Sequence, residues 1–438
     1  MSDVPRSSSR RAARLAGLPL GIAGRAVGGL GRRALGRSDG EFSEELADHA
    51  AEQVFAVLGE LKGGAMKVGQ ALSVFEAGMP DRYAEPFREA LTKLQAEAPP
   101  LPPDEVERVL DTQLGLRWRE RFEDFDGEAT AAASIGQVHR ARWSDGRQVA
   151  VKVQYPGADE ALRSDLRQLR RLGPLLRPLN PGTDVKAVID ELYASAVSEL
   201  DYRGEADSQR VFAGAFRGDP RIHVPGVLAS SPRVLVTEWA EGRTLGQVAA
   251  EGTREERDRA GMLLSEFQFS SPARVRMMHG DPHPGNFLLA PDGRMVVLDF
   301  GASLSLPEGM PDVLTSMMRL ALAERSDELL AMMHSAGYVG RGGVDPDDAM
   351  AFLGPFIEPM RAPEFHFDRA WMQRIMAVYG DVSGREFRTA RAFTLPRDYV
   401  LIHRVLSASV GMLCQLEATA PYQEIVRTWM PEIFTDPA

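Results

Sequence analysis

The sequence predicts an α+β protein in which a small lobe containing β-strands precedes a larger helical lobe. Residues 134–143 and 148–154 alternate apolar and polar side chains across an Asp-Gly turn, which is the pattern of a β-hairpin. From Thr244 onward, apart from one further hairpin, apolar residues recur at helical spacing. With 438 residues, 44 % of them hydrophobic, the chain is long enough for two or three domains with cores of their own.

Composition excludes several functional classes. No apolar segment approaches the roughly 18 residues that span a bilayer. The single cysteine, Cys414, excludes an internal disulfide framework and a cysteine-rich metal cluster. An aromatic content of 7 % argues against a protein that stacks nucleic-acid bases, so we expect no nucleic-acid partner. A cytoplasmic protein is the simplest expectation.

Charge is distributed unevenly along the chain. Residues 1–38 contain eight Arg and one Asp, a net charge of +7, so the other 400 residues carry −18 of the total −11. The basic segment is either a disordered arm or a contact with anionic lipid, where each Arg contributes roughly 1 kcal/mol. Its composition also suits an organellar transit peptide. We therefore expect at most peripheral association with an anionic membrane.

The pattern divides the chain into four segments. These are a basic arm at 1–40, a helical extension at 41–127, a β-containing lobe with a helical insert at 128–240, and a helical lobe at 241–438.

Within these segments the predicted elements follow in order. Asp104 is predicted to cap a helix over Glu105–Leu114. After the hairpin come helices over Ala158–Arg177 and Val185–Phe216, strands over Val224–Val227 and Arg233–Glu238, and a second hairpin of Phe287–Leu289 with Met295–Leu298.

Three polar segments could carry chemistry. They are His279–Asn286, the tripeptide Asp299-Phe-Gly301 at the end of an apolar strand, and Lys152 within a strand. Phosphoryl transfer from a magnesium nucleotide needs a carboxylate for the attacking hydroxyl, oxygen ligands for the metal, and a cation for the phosphates. Asp281 precedes Asn286 by five residues and Asp299 by eighteen, which are the intervals found in protein kinases.

Lysine usage singles out Lys152. Only five of the 51 basic residues are lysines, so each is a candidate for a role that Arg cannot fill. The flanking Val151 and Val153 share one face of the strand, which puts Lys152 on the other face. The competing interpretation is a solvated charge on an edge strand.

A zinc site is the competing interpretation for His279 and His283, which stand four residues apart. Pro282 and Pro284 prevent the helix that would align the two rings, which argues against it.

Together with further motifs, these residues resemble the UbiB (AarF, ADCK) family of atypical, protein-kinase-like ATPases over about residues 42–430. The additional motifs are, in chain order, Lys67-Val-Gly-Gln70, Leu91-Thr-Lys-Leu-Gln95, the Ala-rich loop Ala131, Ala132, Ala133, Ser134, and Glu199-Leu-Asp201 followed by Glu205.

The resemblance implies a protein-kinase-like bilobal fold with an N-terminal helical extension, binding of ATP with Mg2+, and a role in isoprenoid quinone or related lipid metabolism. It implies that Lys152 pairs with Glu205 and the nucleotide phosphates. Asn286 and Asp299 would hold Mg2+, and Asp281 would occupy the position of the catalytic base. Lys152 and Glu205 are 53 positions apart, far more than in ordinary kinases, because residues 158–184 are an insertion relative to those proteins.

The resemblance also implies roles around the cleft. The loop Ala131–Ser134 would cover the nucleotide, and backbone groups near Glu238 would meet the adenine. Lys67 and Gln70 would lie over the cleft where a protein substrate binds in kinases. Lys67 would there face Glu199 and Asp201.

Two other functions remain open on the sequence. A small-molecule kinase of the aminoglycoside or choline type also has a His-Gly-Asp loop followed by an Asn, but that class lacks the Lys67–Gln70 motif. A nucleotide-binding scaffold without chemistry would tolerate loss of Asp281, Asn286 or Asp299, and all three are present.

Overall fold

The computed structural model describes residues 100–133, 135–160, 162–163, 197, 200–339, 344–380 and 392–436, with the side chains of 376–380 and 397 excepted. Lys67, Gln70, Ser134 and Glu199 lie outside these residues. Contacts divide the chain into one unit of Met1–Ala98 with Ala161–Tyr193 and another of Pro99–Glu160 with Ala194–Ala438. Every element named below belongs to the second unit.

In the residues that the structure describes, the N-terminal lobe of this unit contains a six-stranded sheet and helices. In chain order the elements are α1 (Pro103–Leu114), β1 (Phe122–Phe125), β2 (Ala131–Ala133), β3 (Gly136–Trp143), β4 (Gln148–Gln154), α2 (Tyr202–Ala215), β5 (Ile222–His223), β6 (Val227–Ser230) and β7 (Val234–Glu238). Of these, β5 belongs to a sheet of the C-terminal lobe. The strand order is β1-β3-β4-β7-β6, with β2 paired to β3, and all pairs are antiparallel.

The C-terminal lobe is largely helical. It contains β8 (Arg243–Thr244), α3 (Leu245–Glu251), α4 (Arg254–Val275), β9 (Met277–His279), β10 (Phe287–Leu289), β11 (Met295–Val297), β12 (Ser303–Ser305), α5 (Asp312–Leu322), α6 (Ser326–Ser335), α7 (Pro346–Ile357), β13 (Phe365–His366), α8 (Arg369–Gly380), α9 (Val400–Leu416), β14 (Thr419–Ala420) and α10 (Tyr422–Trp429). The predicted α+β, kinase-like fold class is confirmed. Among the helices that the structure describes, none is both long and apolar enough to cross a bilayer.

The first predicted hairpin is confirmed by β3 and β4, which pair from Gly136 with Gln154 to Arg142 with Gln148. Gly146 closes the turn with φ +86°, a left-handed conformation that glycine adopts without strain. Val149, Val151 and Val153 of β4 are fully buried, because alternate side chains of a strand face the same side.

Residues 103–114 pack against this sheet. Val106, Val109 and Leu110 of α1 and Trp118 form one core cluster with the three valines of β4. Residues 100–127, which the sequence places with the helical extension, thus share the core of the β-containing lobe.

Several predicted boundaries are wrong in detail. Helix α1 begins at Pro103, since proline's missing N–H and fixed φ suit the first helical position, and Asp104 lies within the first turn. The predicted strand Val224–Val227 is largely a break between two strands, because Val224–Gly226 belong to neither and only Val227 lies in β6. Pro225 lies in this break. A proline lacks the N–H that a continuous ladder requires.

The predicted helix Val185–Phe216 is not continuous in its described part. Leu200 and Asp201 break it, and the Asp201 carboxylate caps α2 by accepting a hydrogen bond from the Arg203 backbone N–H at 3.0 Å.

The second predicted hairpin, β10 with β11, is confirmed. The pair β9–β12 was not predicted, and it aligns His279 with Ser303. It joins the segment before Asp281 to the segment after Asp299.

Candidate active site

Lys152 lies at the centre of the candidate site. Its ammonium donates to both carboxylate oxygens of Glu205 at 2.9 Å and to Asp299 Oδ2 at 3.4 Å. The same nitrogen lies 4.9 Å from the centre of the Tyr202 ring. The structure therefore brings a strand lysine and two distant carboxylates to one point.

Local structure explains each position. Strand β4 directs Lys152 away from the valine core, as its alternation predicts. Helix α2 carries Tyr202 and Glu205 in its first turn, beside the Asp201 cap. The 53-residue separation of Lys152 and Glu205 therefore does not prevent their pairing.

Burial and charge oppose each other at Lys152. Burial acts to lower the pKa of the lysine, but the charges of Asp299 and Glu205 more than offset it, so the pKa stands well above its ordinary value. The Lys152 side chain is 15 % exposed and that of Glu205 5 %, so a loss of either partner would leave a charge with little access to water.

Asp299 adopts a strained backbone conformation. Its φ is +55°, in the left-handed region that non-glycine residues rarely occupy. Such strain persists where neighbouring groups fix it, and it is frequent at functional sites. The buried His279 ring provides one such contact, because Nε2 lies 3.0 Å from the carbonyl oxygen of Leu298 and 2.6 Å from that of Asp299.

The loop after β9 holds Asp281 and Asn286 together. The Asn286 side-chain amide donates to the Asp281 carbonyl oxygen and to its Oδ2, each at 3.1 Å. His283 accepts from the Gly285 N–H at 3.1 Å and so stabilises the short 3-10 turn Pro284–Asn286. His283 thus contacts the backbone of its own loop, whereas His279 contacts the backbone beside Asp299. No cluster of three or more metal-ligating His, Cys, Asp or Glu side chains occurs among the described residues.

Gly280 lies against the segment that follows Asp299. A Cβ atom at Gly280 would come within 1.7 Å of the Ala302 carbonyl oxygen. From the other side, the Arg404 guanidinium of α9 donates to the Gly280 carbonyl oxygen at 3.1 Å. The loops of Asp281 and Asp299 are therefore in direct contact, and only glycine fits between them.

Comparison with known proteins assigns the chain to a family. A family model described as the ABC1 atypical kinase-like domain matches residues 93–333, more than half of the chain. The chain belongs to the ABC1 atypical kinase-like family. The resemblance to the UbiB and ADCK proteins is thereby confirmed.

Individual curated proteins are similar over much of the chain. The uncharacterised protein slr1919 of Synechocystis is 35 % identical over 86 % of this chain and 65 % of its own length. The mitochondrial atypical kinase coq-8 of Caenorhabditis elegans is 30 % identical over 77 % of this chain and 46 % of its own. The chain thus spans about half to two thirds of the length of these curated relatives.

A solved structure is also similar. It is described as the complex of Rv3197 with erythromycin from Mycobacterium tuberculosis, and it is 48 % identical with a TM-score of 0.68. The match covers 91 % of this chain and all of that chain.

Most of the Ala-rich segment of this ABC1 domain is a strand, although the sequence predicts a loop there. Ala131–Ala133 form strand β2, which pairs with Gly136–Val138 of β3. A Cβ at Gly136 would lie 2.3 Å from the Val153 carbonyl oxygen, so glycine allows β3 to approach β4 there. Ser134 lies outside the described residues, and the contact of this segment with a nucleotide stays a prediction.

The segment near Glu238 has fewer free backbone groups than expected. The backbone N–H of Glu238 donates to Gly226 and that of Trp239 to Gln148, each at 2.9 Å. The Glu238 carboxylate accepts from the Gly226 N–H, also at 2.9 Å. An adenine contact here would therefore use carbonyl oxygens or the groups after Trp239, and it stays a prediction.

The predicted contact of Lys67 with Glu199 and Asp201 falls largely outside the described residues. The Asp201 carboxylate pairs with the Arg203 guanidinium at 2.6 Å.

Arg404 is not among the site residues that the sequence predicts. Nothing in its neighbourhood in the sequence indicates that a helix from the end of the chain reaches the loop of Asp281.

Proposed function

We propose that this ABC1 protein binds ATP with Mg2+ between the β-containing lobe and the loops of Asp281 and Asp299, and that it cleaves or transfers the terminal phosphate. The observation that carries the proposal is the position of the Lys152 ammonium between Glu205 and Asp299. A fixed cation beside a metal-binding carboxylate is what a triphosphate requires.

Each residue supplies a separate part of this activity. Glu205 orients Lys152, whose ammonium would neutralise phosphate oxygens. Asp281 would orient the attacking hydroxyl or water, and its loop is held by Asn286.

The metal donors fit magnesium. Asp299 and Asn286 offer carboxylate and amide oxygens, the hard ligands that Mg2+ prefers. When bound, the ion would offset the charge that develops on the transferred phosphoryl group. His279 keeps Asp299 in its left-handed conformation by contacting the carbonyl oxygen of that residue.

Nucleotide binding can be tested by the melting temperature in Mg-ATP. The wild-type protein should gain several degrees, whereas Asp299→Asn should remain folded and lose most of the gain, because one charged metal ligand is removed. The exposed substitution Asp436→Asn is the matched control and should keep the full gain. An undiminished gain in Asp299→Asn would contradict the metal assignment.

Turnover separates an enzyme from a scaffold. We expect measurable release of phosphate from ATP by the wild-type protein and little by Asp281→Asn. Equal release by the two proteins would favour a nucleotide-binding scaffold without chemistry.

For the biological role we propose support of isoprenoid quinone or related lipid metabolism at an anionic membrane surface. The family resemblance and the +7 charge of residues 1–38 support this. Deletion of residues 1–38 should weaken co-sedimentation with anionic liposomes at low salt, since exposed charges are screened at high salt. Undiminished sedimentation would place any membrane contact elsewhere.

A second candidate is binding of a macrolide. The 48 % identical structure that contains erythromycin favours it. Calorimetric titration of the full-length protein with erythromycin, with and without Mg-ATP, tests it directly. Absence of heat in both titrations would remove this candidate.

A further inference from the structure

The helical lobe contains a cavity of about 340 Å3. It lies between two hydrophobic clusters, one around α4 and α10 and the other around α5, α6 and α7. Met310, Met318 and Leu406 pack against both clusters and line the cavity. It is thus located where the two halves of the lobe meet.

The wall is apolar. The described residues contribute no charged side chain to it, and two of its polar groups donate to protein partners. The Thr315 hydroxyl donates to the Asp312 carbonyl oxygen at 3.2 Å, and the Trp371 indole N–H donates to the Glu358 carboxylate at 2.8 Å. A charged ligand would lose its hydration here without gaining a partner, whereas a hydrocarbon would lose nothing.

Size and access also suit a ligand. Protein interiors contain few voids larger than a water molecule, and pockets for drug-sized ligands occupy roughly 300–1,000 Å3. Ser407 is exposed, and Met372 and Ile375 are partly exposed, so the cavity reaches the surface. Methionine side chains in the wall can adapt to a flexible chain because they are unbranched and polarisable.

We propose that this cavity binds the hydrocarbon part of a neutral lipid, either a prenyl or an acyl chain. The bound chain would contact Leu406 and Val410 of α9. The site is separate from the nucleotide site, and its existence does not depend on the proposed catalytic activity.

Helix α9 connects the cavity to the candidate active site. Arg404, two residues before Leu406, donates to the Gly280 carbonyl oxygen, immediately before Asp281. The Phe356 ring, which lines the cavity, lies 6.3 Å from the His403 ring on the same helix. Occupancy of the cavity would therefore change ATP turnover, and this second part rests on the proposed function.

Binding is measured on the full-length protein without nucleotide, by quenching of tryptophan fluorescence with farnesol as a prenyl chain and dodecanol as an acyl-like chain. Trp371 lines the cavity, so Trp371→Phe should lose most of the saturable signal. Val410→Phe places a ring in part of the cavity, where the chain would lie, and should weaken binding by about tenfold or more. Val211→Phe makes the same change at an exposed position of α2 and should bind like wild type.

Saturable quenching by either alcohol with this ranking of variants supports the proposal, and the tighter of the two identifies the chain type. No saturable quenching, or equal affinity in Val410→Phe and wild type, overturns it. If Val410→Phe melts early, Ser407→Phe at the exposed opening, which adds bulk without adding a tryptophan, replaces it with the same expected result. Erythromycin that displaces farnesol from the wild type and binds Val410→Phe weakly would assign the cavity to a macrolide and overturn the hydrocarbon assignment.

The coupling has its own readout. Farnesol should change the ATP turnover of the wild type and leave that of Val410→Phe unchanged. Equal turnover with and without bound farnesol would overturn the coupling. If no turnover is seen in any sample, the proposed function fails, while fluorescence still decides the cavity.

Discussion

The two sites of this ABC1 protein are built on opposite principles. Around Lys152, charged groups are buried and paired within hydrogen-bond distance, so each depends on the others. Around the cavity, apolar side chains surround a space that none of them fills. Removal of a group should therefore be costly around Lys152, whereas addition of volume should be tolerated around the cavity.

The largest effect should follow from removal of the lysine charge. Lys152→Met leaves Glu205 and Asp299 without their shared cation, and the free energy of unfolding should fall by about 3–5 kcal/mol. Lys152→Arg keeps the charge and should restore most of the stability but not nucleotide binding, because the guanidinium has a different shape. Urea unfolding and the Mg-ATP melting shift measure the two effects. If Lys152→Met were as stable as the wild type, the buried ion pairs of Lys152 would make no net contribution to the free energy of unfolding.

The free energy of unfolding is expected to depend on pH through His403, which lies beside the cavity. Burial lowers the pKa of His403 to about 4, and its Nε2 lies 2.9 Å from the Tyr338 hydroxyl oxygen. Because the folded pKa is below the unfolded value near 6.5, the unfolded chain binds more protons between these values. The stabilisation is therefore complete above pH 6.5 and is lost toward pH 4, by about 3 kcal/mol.

Urea titrations at several pH values measure this loss. His403→Gln cannot titrate and should lose correspondingly less stability between pH 6.5 and 4. Identical slopes in the two proteins would mean that His403 is not the responsible group.

The next largest effect should follow from a substitution at Gly280, where the two loops of the candidate active site touch. Gly280→Ala should lower the free energy of unfolding by about 1–3 kcal/mol and reduce turnover, since its Cβ would overlap the Ala302 carbonyl oxygen. Gly214→Ala is the matched control, because α2 leaves nothing within 4 Å of a Cβ there. It should stabilise the protein by about 0.5–1 kcal/mol. Full activity of Gly280→Ala would mean that the two loops separate easily.

The smallest effect is expected for Val410→Phe, when it is compared with the same substitution in a filled core. Val151→Phe adds a ring to the filled core under β4 and should destabilise by about 1–3 kcal/mol. Val410→Phe adds the same ring beside the cavity and should change the free energy of unfolding by less than about 1 kcal/mol. Denaturant midpoints of the two variants measure the difference. Equal losses would mean that the cavity walls cannot accept added volume.

Much of the fold could be read from local pattern. The Asp-Gly turn and the alternation on both sides of it predicted β3 and β4, because the side-chain period of a strand is visible in the sequence. The continuous apolar segment before Asp299, together with the turn at Pro291-Asp-Gly293, predicted β10 and β11. The equally short strands β9 and β12 were missed, because no tight turn joins them in the chain and a three-residue segment has no measurable period of its own.

Part of the candidate site could also be predicted from local pattern. Spacing in the chain marked Asp281, Asn286 and Asp299, since those intervals are set by one short loop and one hairpin. The resemblance supplied the pairing of Lys152 with Glu205. Arg404 carried no signal, because its partner lies 124 positions away and is a backbone oxygen.

Local pattern in the sequence was enough to predict which residues could carry charge and metal, where many of the longer strands and helices form, and which family the chain resembles. These depend on residue type and on neighbours within a few positions. Only the tertiary structure decided that Asp299 adopts a left-handed backbone beside His279, that glycine is required at position 280, and that a cavity lies between two clusters of the helical lobe. These properties arise where distant segments approach each other, and they depend on distances and volumes that no local pattern contains.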